Sequence, residues 1–337
     1  MNKPERQKGR LTVIIPSYDG RDLLRACLRS LQKQTRSCSV LVVDDGSKDQ
    51  TAQMVEQEFA PFECLPSPRN EGFVRAVNRG LDQCRTEFAA LLNNDTEADP
   101  GWVQAGLDAF RQHPEYWFFA SRLIQYHDRS RLDGAGDCYG RSGLPLKRGH
   151  DRPVTEAGFL RDQPVLGASA GAAFYRMVLF DEIGKFDEGY SMYLEDVDFS
   201  LRCQLAGRPC LYLHQAVVYH MEAASDPQRS PDRGGNEGER AKRTRNVYYS
   251  PARVYWITRN RWQLMWTYQP LRHAPWLLCG WVKSTLFHLL KAGYFYDFLR
   301  GTIAGWRCLP RAWRKRKRLS RTRRINQSQL CRLLRRC

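Results

Sequence analysis

The 337-residue sequence has no CxxC pair, no Cys/His spacing suited to zinc and no uninterrupted run of about 20 apolar residues. Its 11 cysteines are odd in number and scattered, which argues against a disulfide framework or a structural zinc site and favours a reducing compartment. The first residues, MNKPERQKGR, run straight into an apolar stretch too short for a signal peptide, so the chain is expected in the cytoplasm. No internal repeat is evident. Acid is missing from one region only: Arg307 to Cys337 holds thirteen Lys and Arg and no Asp or Glu, and so accounts for all but +4 of the net charge of +17. Such a tail attracts phosphate, in nucleic acid or in anionic lipid headgroups.

What is present is a core. A hydrophobic content of 42% over this length is enough for one large domain or two ordinary ones. Leu11–Ile15 and Val40–Val43 are short β-rich runs closed by Pro16 and by Asp44-Asp45-Gly46, and between them Leu23, Leu24, Cys27, Leu28 and Leu31 recur at helical spacing. The βαβ pattern continues with helices over Thr51–Phe59 and Val74–Cys84 and a strand over Phe88–Leu92 that ends at Asn93-Asn94-Asp95. Strands ending in polar, acidic turns predict an α/β fold with a mostly parallel sheet and a ligand site at the carboxyl ends. Further on, the spacing predicts a helix over Trp102–Arg111, strands near Trp117 and over Ala170–Tyr175, and a Gly-rich loop over Gly134–Gly149. Residues 223–250 read as a polar linker or loop.

Four segments carry chemistry. Pro16-Ser17-Tyr18-Asp19 and Asp44-Asp45-Gly46-Ser47 place carboxylates where a base N–H or ribose hydroxyl can donate to them, although Asp44–Ser47 equally suits an Asx turn with a helix cap. Arg69-Asn70-Glu71-Gly72-Phe73 opens a helix with a glycine, an arrangement that admits a phosphate as readily as it serves any loop-to-helix junction. Asp95 follows a buried strand and suits a hard divalent cation held by a diphosphate, provided it has partners; Glu195, Asp196 and Asp198, and His220 after another apolar strand, are on offer. The three acids also suit an exposed helix start, or a pairing with Arg202.

These segments in this order resemble the family 2 glycosyltransferases, through VIIPSYD, VVDDGSKDQT, RNEGFVRAVNRG, LLNNDTEADPGW and MYLEDVDFSLRCQLAG, over Leu11 to about His220. Within that family the sequence is most similar to bacterial rhamnosyltransferase-type enzymes of cell-surface polysaccharide synthesis. The resemblance implies a GT-A fold, a Rossmann-like sheet flanked by helices, at 11–222, with a nucleotide-sugar half (11–100) and an acceptor half (101–222). It implies that Pro16, Tyr18, Asp19 and Asp45 surround the nucleotide with Asn70 and Gly72 nearby; Ser17, Asp44 and Asn94 complete the expected nucleotide-sugar set. Asp95 stands at the last position of the family's DxD motif, with Asn93 where the first Asp often is, and His220 is a further expected ligand for Mg2+ or Mn2+. Glu195-Asp196 matches the acidic pair that supplies the base in inverting enzymes, and Asp196 is the expected base.

The expected activity is therefore inverting, metal-dependent transfer of a sugar from a UDP- or dTDP-sugar, dTDP-rhamnose among the candidates, to a glycan or polyprenyl-linked acceptor. Residues 1–10 are expected to be a tail, 251–309 an amphipathic helical membrane-associating region and 310–337 a basic tail, which together place the protein at the inner face of a membrane, with nucleic acid an unlikely partner. A non-catalytic nucleotide-sugar or RNA-binding protein is the alternative from another class. A sugar nucleotidyltransferase is disfavoured, since its Gly-rich N-terminal loop is absent.

Overall fold

The apolar run Leu11–Ile15 is the buried centre of strand β1 (Gln7–Ser17) in the computed structural model, which describes residues 6–221, 250–292 and 294–334. From it the chain runs through α1 (Arg21–Gln32), β2 (Ser39–Asp44), α2 (Thr51–Glu58), β3 (Glu63–Pro66), α3 (Phe73–Gln83) and β4 (Thr86–Leu92), as expected except for β3, a short strand that the sequence pattern does not mark. Then come β5 (Thr96–Ala98), α4 (Trp102–Gln112), β6 (Phe118–Gln125), β7 (Leu132–Gly134), β8 (Gln163–Val165), β9 (Ala172–Arg176), α5 (Met177–Ile183), α6 (Glu195–Leu205) and β10 (Cys210–His220). These strands form one sheet in the order β8-β10-β6-β9-β4-β1-β2-β3, with β5 against β10 and β7 against β6. The run β4-β1-β2-β3 is parallel, as is β6 with β10, whereas β9 lies antiparallel between β4 and β6. The sheet is therefore more mixed than the sequence pattern predicts.

Alternate residues of the central strands face opposite sides, and both sides are dry. Val13, Ile15, Val42, Ala90 and Leu92 pack against α1, α2 and α4 on one face; Ile14, Val43, Ala89 and Leu91 pack against α3, α5 and α6 on the other. Gly80 of α3 lies so close to β1 that a Cβ there would fall 2.4 Å from Ile14 Cγ2. The register sets Ser17 opposite Asp44, so the loops after neighbouring strands leave the sheet side by side.

The chain divides into two compact units: residues 6–138, 147–191 and 195–221 in the first, and 139–146, 192–194 and the described residues from 250 onward in the second. The polar stretch 223–250 lies outside the described residues except for Ser250, whose hydroxyl accepts from Arg253 N and caps α7 (Pro251–Tyr268). Helices α8 (Ala274–Phe287), α9 (Phe295–Arg307), α10 (Leu309–Thr322) and α11 (Gln327–Leu333) follow. Gly301 and Gly305 let α9 lie directly on α7, where a Cβ would meet Tyr255 O at 2.6 Å and Trp262 Cβ at 2.5 Å. Arg316 of α10 donates to the carbonyls of Trp266 and Gln269, so part of the basic tail caps the end of α7. Helix α8 is largely apolar, with Lys283, Ser284 and Thr285 its polar residues, yet only Gly280 is buried; Trp276, Leu278, Val282, Leu286 and Phe287 are all exposed.

One buried ion pair holds α6. Asp198 accepts from Arg202 Nε at 2.9 Å and from Tyr190 Oη at 3.1 Å, and the rest of the guanidinium donates to the carbonyls of Ile183, Gly184 and Lys185. Removing one partner strands the other charge in the core. Asp198→Ala is expected to lower stability by about 3–5 kcal/mol, measured as a fall in the urea midpoint; a loss under about 1 kcal/mol, ordinary for an exposed pair, would contradict this account.

Candidate active site

Four loops meet at the carboxyl edge of the parallel strands, and their side chains tie them together. Ser17 Oγ, at the end of β1, accepts from Asn94 Nδ2 beyond β4 at 3.1 Å. Asp19, in a left-handed backbone conformation (φ 45°), exchanges bonds with the loop after β2: its N–H donates to Ser47 Oγ and its carboxylate accepts from Lys48 N at 2.7 Å. Asp44 accepts from Ser47 N at 3.0 Å, which is the Asx turn that the sequence also allowed. Asp45 reaches across to the loop after β3, accepting from Glu71 N at 2.9 Å and Gly72 N at 2.8 Å. The Gly72 amide is thus spent on Asp45. Burial pushes the Asp45 carboxyl above the usual range, against those two N–H bonds. Gly46 passes directly under Arg69 and Asn70, where a Cβ would lie 2.5 Å from the Arg69 carbonyl carbon. Pro16 is the strand residue opposite Val43, while the Tyr18 ring and Asn70 remain exposed.

Asp95 is brought beside His220. Strand β10 pairs with β5 in a register that sets His220 opposite Thr96, so His220 Nε2 lies 3.4 Å from Asp95 Oδ1. The other ring nitrogen, Nδ1, is 2.8 Å from Asp133 Oδ2. Asp133 is fully buried and also accepts from Lys147 Nζ at 2.8 and 3.0 Å, and His150 Nδ1 is 3.0 Å from its carbonyl. Burial opposes a charge on His220, but the bonds to Asp133 and Asp95 outweigh it and hold the imidazole up at about 9. Burial likewise resists the Asp133 anion, and Lys147 with the two histidines holds it well below the usual carboxylate range all the same. A carboxylate on the far nitrogen of a histidine is the arrangement that orients imidazole ligands in metal sites. Without a metal, both His220 ring nitrogens face carboxylates and the charged ring cannot be a ligand; Asp95 and His220 suit a divalent cation as two ligands only once Nε2 has given up its proton. Among the described residues no three Asp, Glu, His or Cys side chains converge as a cage, and Asp198, offered by the sequence as a partner for Asp95, is taken by Arg202 and Tyr190.

The acidic pair opens α6. Asp196 is only partly buried, and its carboxylate accepts from Val197 N at 2.8 Å and Ala170 N at 3.2 Å, bonds that favour the anion at a helix start. Burial still raises its pKa above the ordinary value, although Lys147's charge acts the other way. Glu195 is buried, its Oε2 has no hydrogen-bond partner, and burial together with the Asp196 charge pushes its pKa far up. Asp137 behaves likewise, raised by burial and by Asp196. Of the three carboxyls, Asp196 alone has backbone N–H bonds that favour its anion, while burial and the Asp196 charge push Glu195 and Asp137 toward the neutral form.

A family model described as glycosyl transferase family 2 matches residues 12–184. The chain belongs to that family. It is a glycosyltransferase of the GT-A fold, which sets aside the non-catalytic alternative. N-acetylglucosaminyl-diphospho-decaprenol L-rhamnosyltransferase of Mycobacterium tuberculosis is 31% identical over 237 residues, covering 64% of this chain and 77% of that protein. Staphylococcus aureus TarS 1-349 in complex with UDP-GlcNAc superposes with a TM-score of 0.54 at 18% identity, covering 93% of this chain and 83% of that one. GalNAc-T7 with UDP, GalNAc and Mn2+ gives 0.53 at 16% identity, over 63% of this chain and 43% of that one. At such identities the structures speak for the fold. The family match ends before Glu195, so the acidic pair and His220 rest on this chain's own geometry.

Sequence reasoning did not single out Asp133, Asp137, Lys147 or His150. The one local signal is Asp133-Gly134-Ala135-Gly136-Asp137, two acids flanking a Gly-rich turn, which reads as a loop until β7 lays it against β6. If Asp133 is what keeps His220 charged, Asp133→Asn should let the imidazole fall from about 9 toward the ordinary 6.5. The histidine then charges only at lower pH. Ring-proton NMR titration of metal-free protein checks this, and an unmoved His220 would contradict it.

Proposed function

We propose that the protein transfers a sugar, with inversion, from a nucleoside-diphospho-sugar to a glycan or polyprenyl-linked acceptor in cell-surface polysaccharide synthesis, with Asp196 as the base. The observation that carries the assignment is the contrast within the acidic pair: Asp196 accepts two backbone N–H bonds that favour its anion, while Glu195 is buried with an unpartnered oxygen. Two adjacent buried carboxyls do not both ionise readily, and the base must be the one that does. The printed names of the relatives support the substrate class. The mycobacterial protein acts on a diphospho-decaprenol acceptor and transfers L-rhamnose, and TarS binds UDP-GlcNAc. A dTDP-sugar or UDP-sugar is accordingly the donor class, dTDP-rhamnose first among them.

In this reading the loops bearing Pro16–Asp19, Asp44–Asp45 and Asn70–Gly72 receive the nucleotide, and their mutual hydrogen bonds preform the site. Asp95 and His220 would hold Mg2+ or Mn2+; such an ion, when bound, supplies charge for the departing diphosphate. Asp196 takes the proton of the acceptor hydroxyl, whose oxygen bonds to the anomeric carbon. The bond from that carbon to the diphosphate oxygen breaks, and the nucleoside diphosphate leaves with the electron pair. Asp196→Asn is nearly isosteric but cannot take a proton, so transfer should fall by about 10²–10⁴-fold with donor affinity kept. The assay is nucleoside diphosphate release across a panel of nucleotide sugars, alongside donor titration calorimetry. Normal turnover in Asp196→Asn with loss in Glu195→Gln would move the base to Glu195.

The second unit supports a peripheral membrane location. No described helix is long and apolar enough to cross a membrane. Helix α8 nonetheless exposes Trp276, Leu278, Val282 and Leu286, α9 exposes Leu299, Ile303 and Trp306, and α10 is largely Arg and Lys. Apolar groups with flanking cations suit the headgroup boundary of an anionic bilayer, each cation contributing on the order of 1 kcal/mol near the surface. In flotation assays the protein should rise with anionic vesicles and be partly released by high salt. Tight RNA binding without vesicle binding would overturn the membrane assignment.

A further inference from the structure

The residues immediately before the acidic pair adopt an unusual backbone. Ser191, Tyr193 and Leu194 all have positive φ, at 62°, 63° and 67°. For residues with a Cβ this region costs roughly 1–2 kcal/mol each, so the segment persists only where its surroundings fix it. Within the second unit, α7 supplies the fixing group. Asn260 is fully buried in the middle of that helix, a position where Asn is a poorer choice than Ala or Leu. Its Nδ2 donates to two consecutive carbonyls, Met192 O and Tyr193 O, both at 2.8 Å. Its Oδ1 accepts from Arg259 Nη1 at 2.7 Å, which orients the amide with its nitrogen toward the segment. Two turns earlier, Arg253 stacks over the Tyr193 ring at 5.6 Å. One side chain thus spans the strained peptides, and the chain passes from Leu194 directly into Glu195 and Asp196.

We propose that Asn260 is a positioning residue for sugar transfer: by clamping the backbone at 192–194, it fixes where α6 begins and hence where the Asp196 carboxylate stands. The proposal rests on the reading of Asp196 as the base. A side chain needed only for packing would be replaceable by one of similar volume. A clamp needs two N–H donors aimed at two carbonyls, which an aspartate of the same shape cannot supply; its oxygens would face the carbonyls instead.

The test compares Asn260→Ala, Asn260→Asp and Asp196→Asn, reading kcat at saturating donor and acceptor, donor affinity by calorimetry, and melting temperature. Asn260→Ala and Asn260→Asp are expected to lower kcat by about 10–100-fold, the effect of a misplacement near 1 Å, with donor affinity unchanged. In the Asp196→Asn background, Asn260→Ala should cost little more, since the two residues act as a unit. Leu194→Gly relieves the left-handed strain and should restore part of the kcat lost in Asn260→Ala. A folded Asn260→Ala or Asn260→Asp with wild-type kcat, beside an inactive Asp196→Asn, overturns this inference and leaves the base assignment standing. A fully active Asp196→Asn overturns both. Should neither Asn260 variant fold, Asn260 serves the fold rather than the reaction, and the inference is equally overturned.

Discussion

Burying carboxylates close to one another is the constraint on which the rest of this site depends. Asp95, Asp133, Asp137, Glu195 and Asp198 are all buried in the first unit, and Asp196 partly so. A low-dielectric interior does not hold that many like charges without compensation. Three different answers are in use. Asp198 and Asp133 are ion-paired, one with Arg202 and the other with Lys147 and His220. Asp196 accepts backbone N–H groups, as Asp45 does at the loop after β3. Glu195 and Asp137 are instead pushed upward by burial beside Asp196, toward their neutral forms. Lys147 connects these answers: it bonds Asp133 directly, and its charge is felt at Asp137 and Asp196. One cation thus acts on both groups, directly at Asp133 and more weakly at Asp196, where burial and backbone bonds weigh more.

The first hundred residues were legible because each apolar run there is answered by local periodicity. Strands buried on both faces, with amphipathic helices between them, place β1, α1, β2, α2, α3 and β4 within a few residues of their observed bounds, whereas the short strands β3 and β5 carry no such pattern and are not legible in it. The Asp198–Arg202 pair is equally local, four residues apart on one helix, and was weighed as the alternative to a metal role. The partners of His220 were not legible. Asp133 is 87 residues away, and the two meet only because β10 runs parallel to β6 while β7 pairs with β6 from the other side. No periodicity reports a strand three residues long, so the turn holding Asp133 and Asp137 reads as loop. The antiparallel insertion of β9 between β4 and β6 has the same origin: order in a sheet is a tertiary choice, and composition is silent on it.

The second unit shows the opposite mismatch between sequence and burial. Its aromatic and aliphatic content alone suits either a packed helical layer or a membrane-facing one, and both occur on adjacent helices. On α7 and α9, glycines at 301 and 305 bring the backbones together and Trp262, Trp266 and Trp306 close into a cluster with ring centroids 5.3 Å apart. On α8 the same residue types face outward, with Lys283 the one exposed charge among them. A largely apolar helix is ordinarily covered, and in the proposed membrane reading an anionic lipid surface would cover it, with the cations of α10 elsewhere in the same unit. The unit that presents this face also contains Asn260 and the segment 192–194 that leads into the acidic pair. One compact body thus carries both the exposed apolar helix and the side chain that bonds the backbone at 192 and 193.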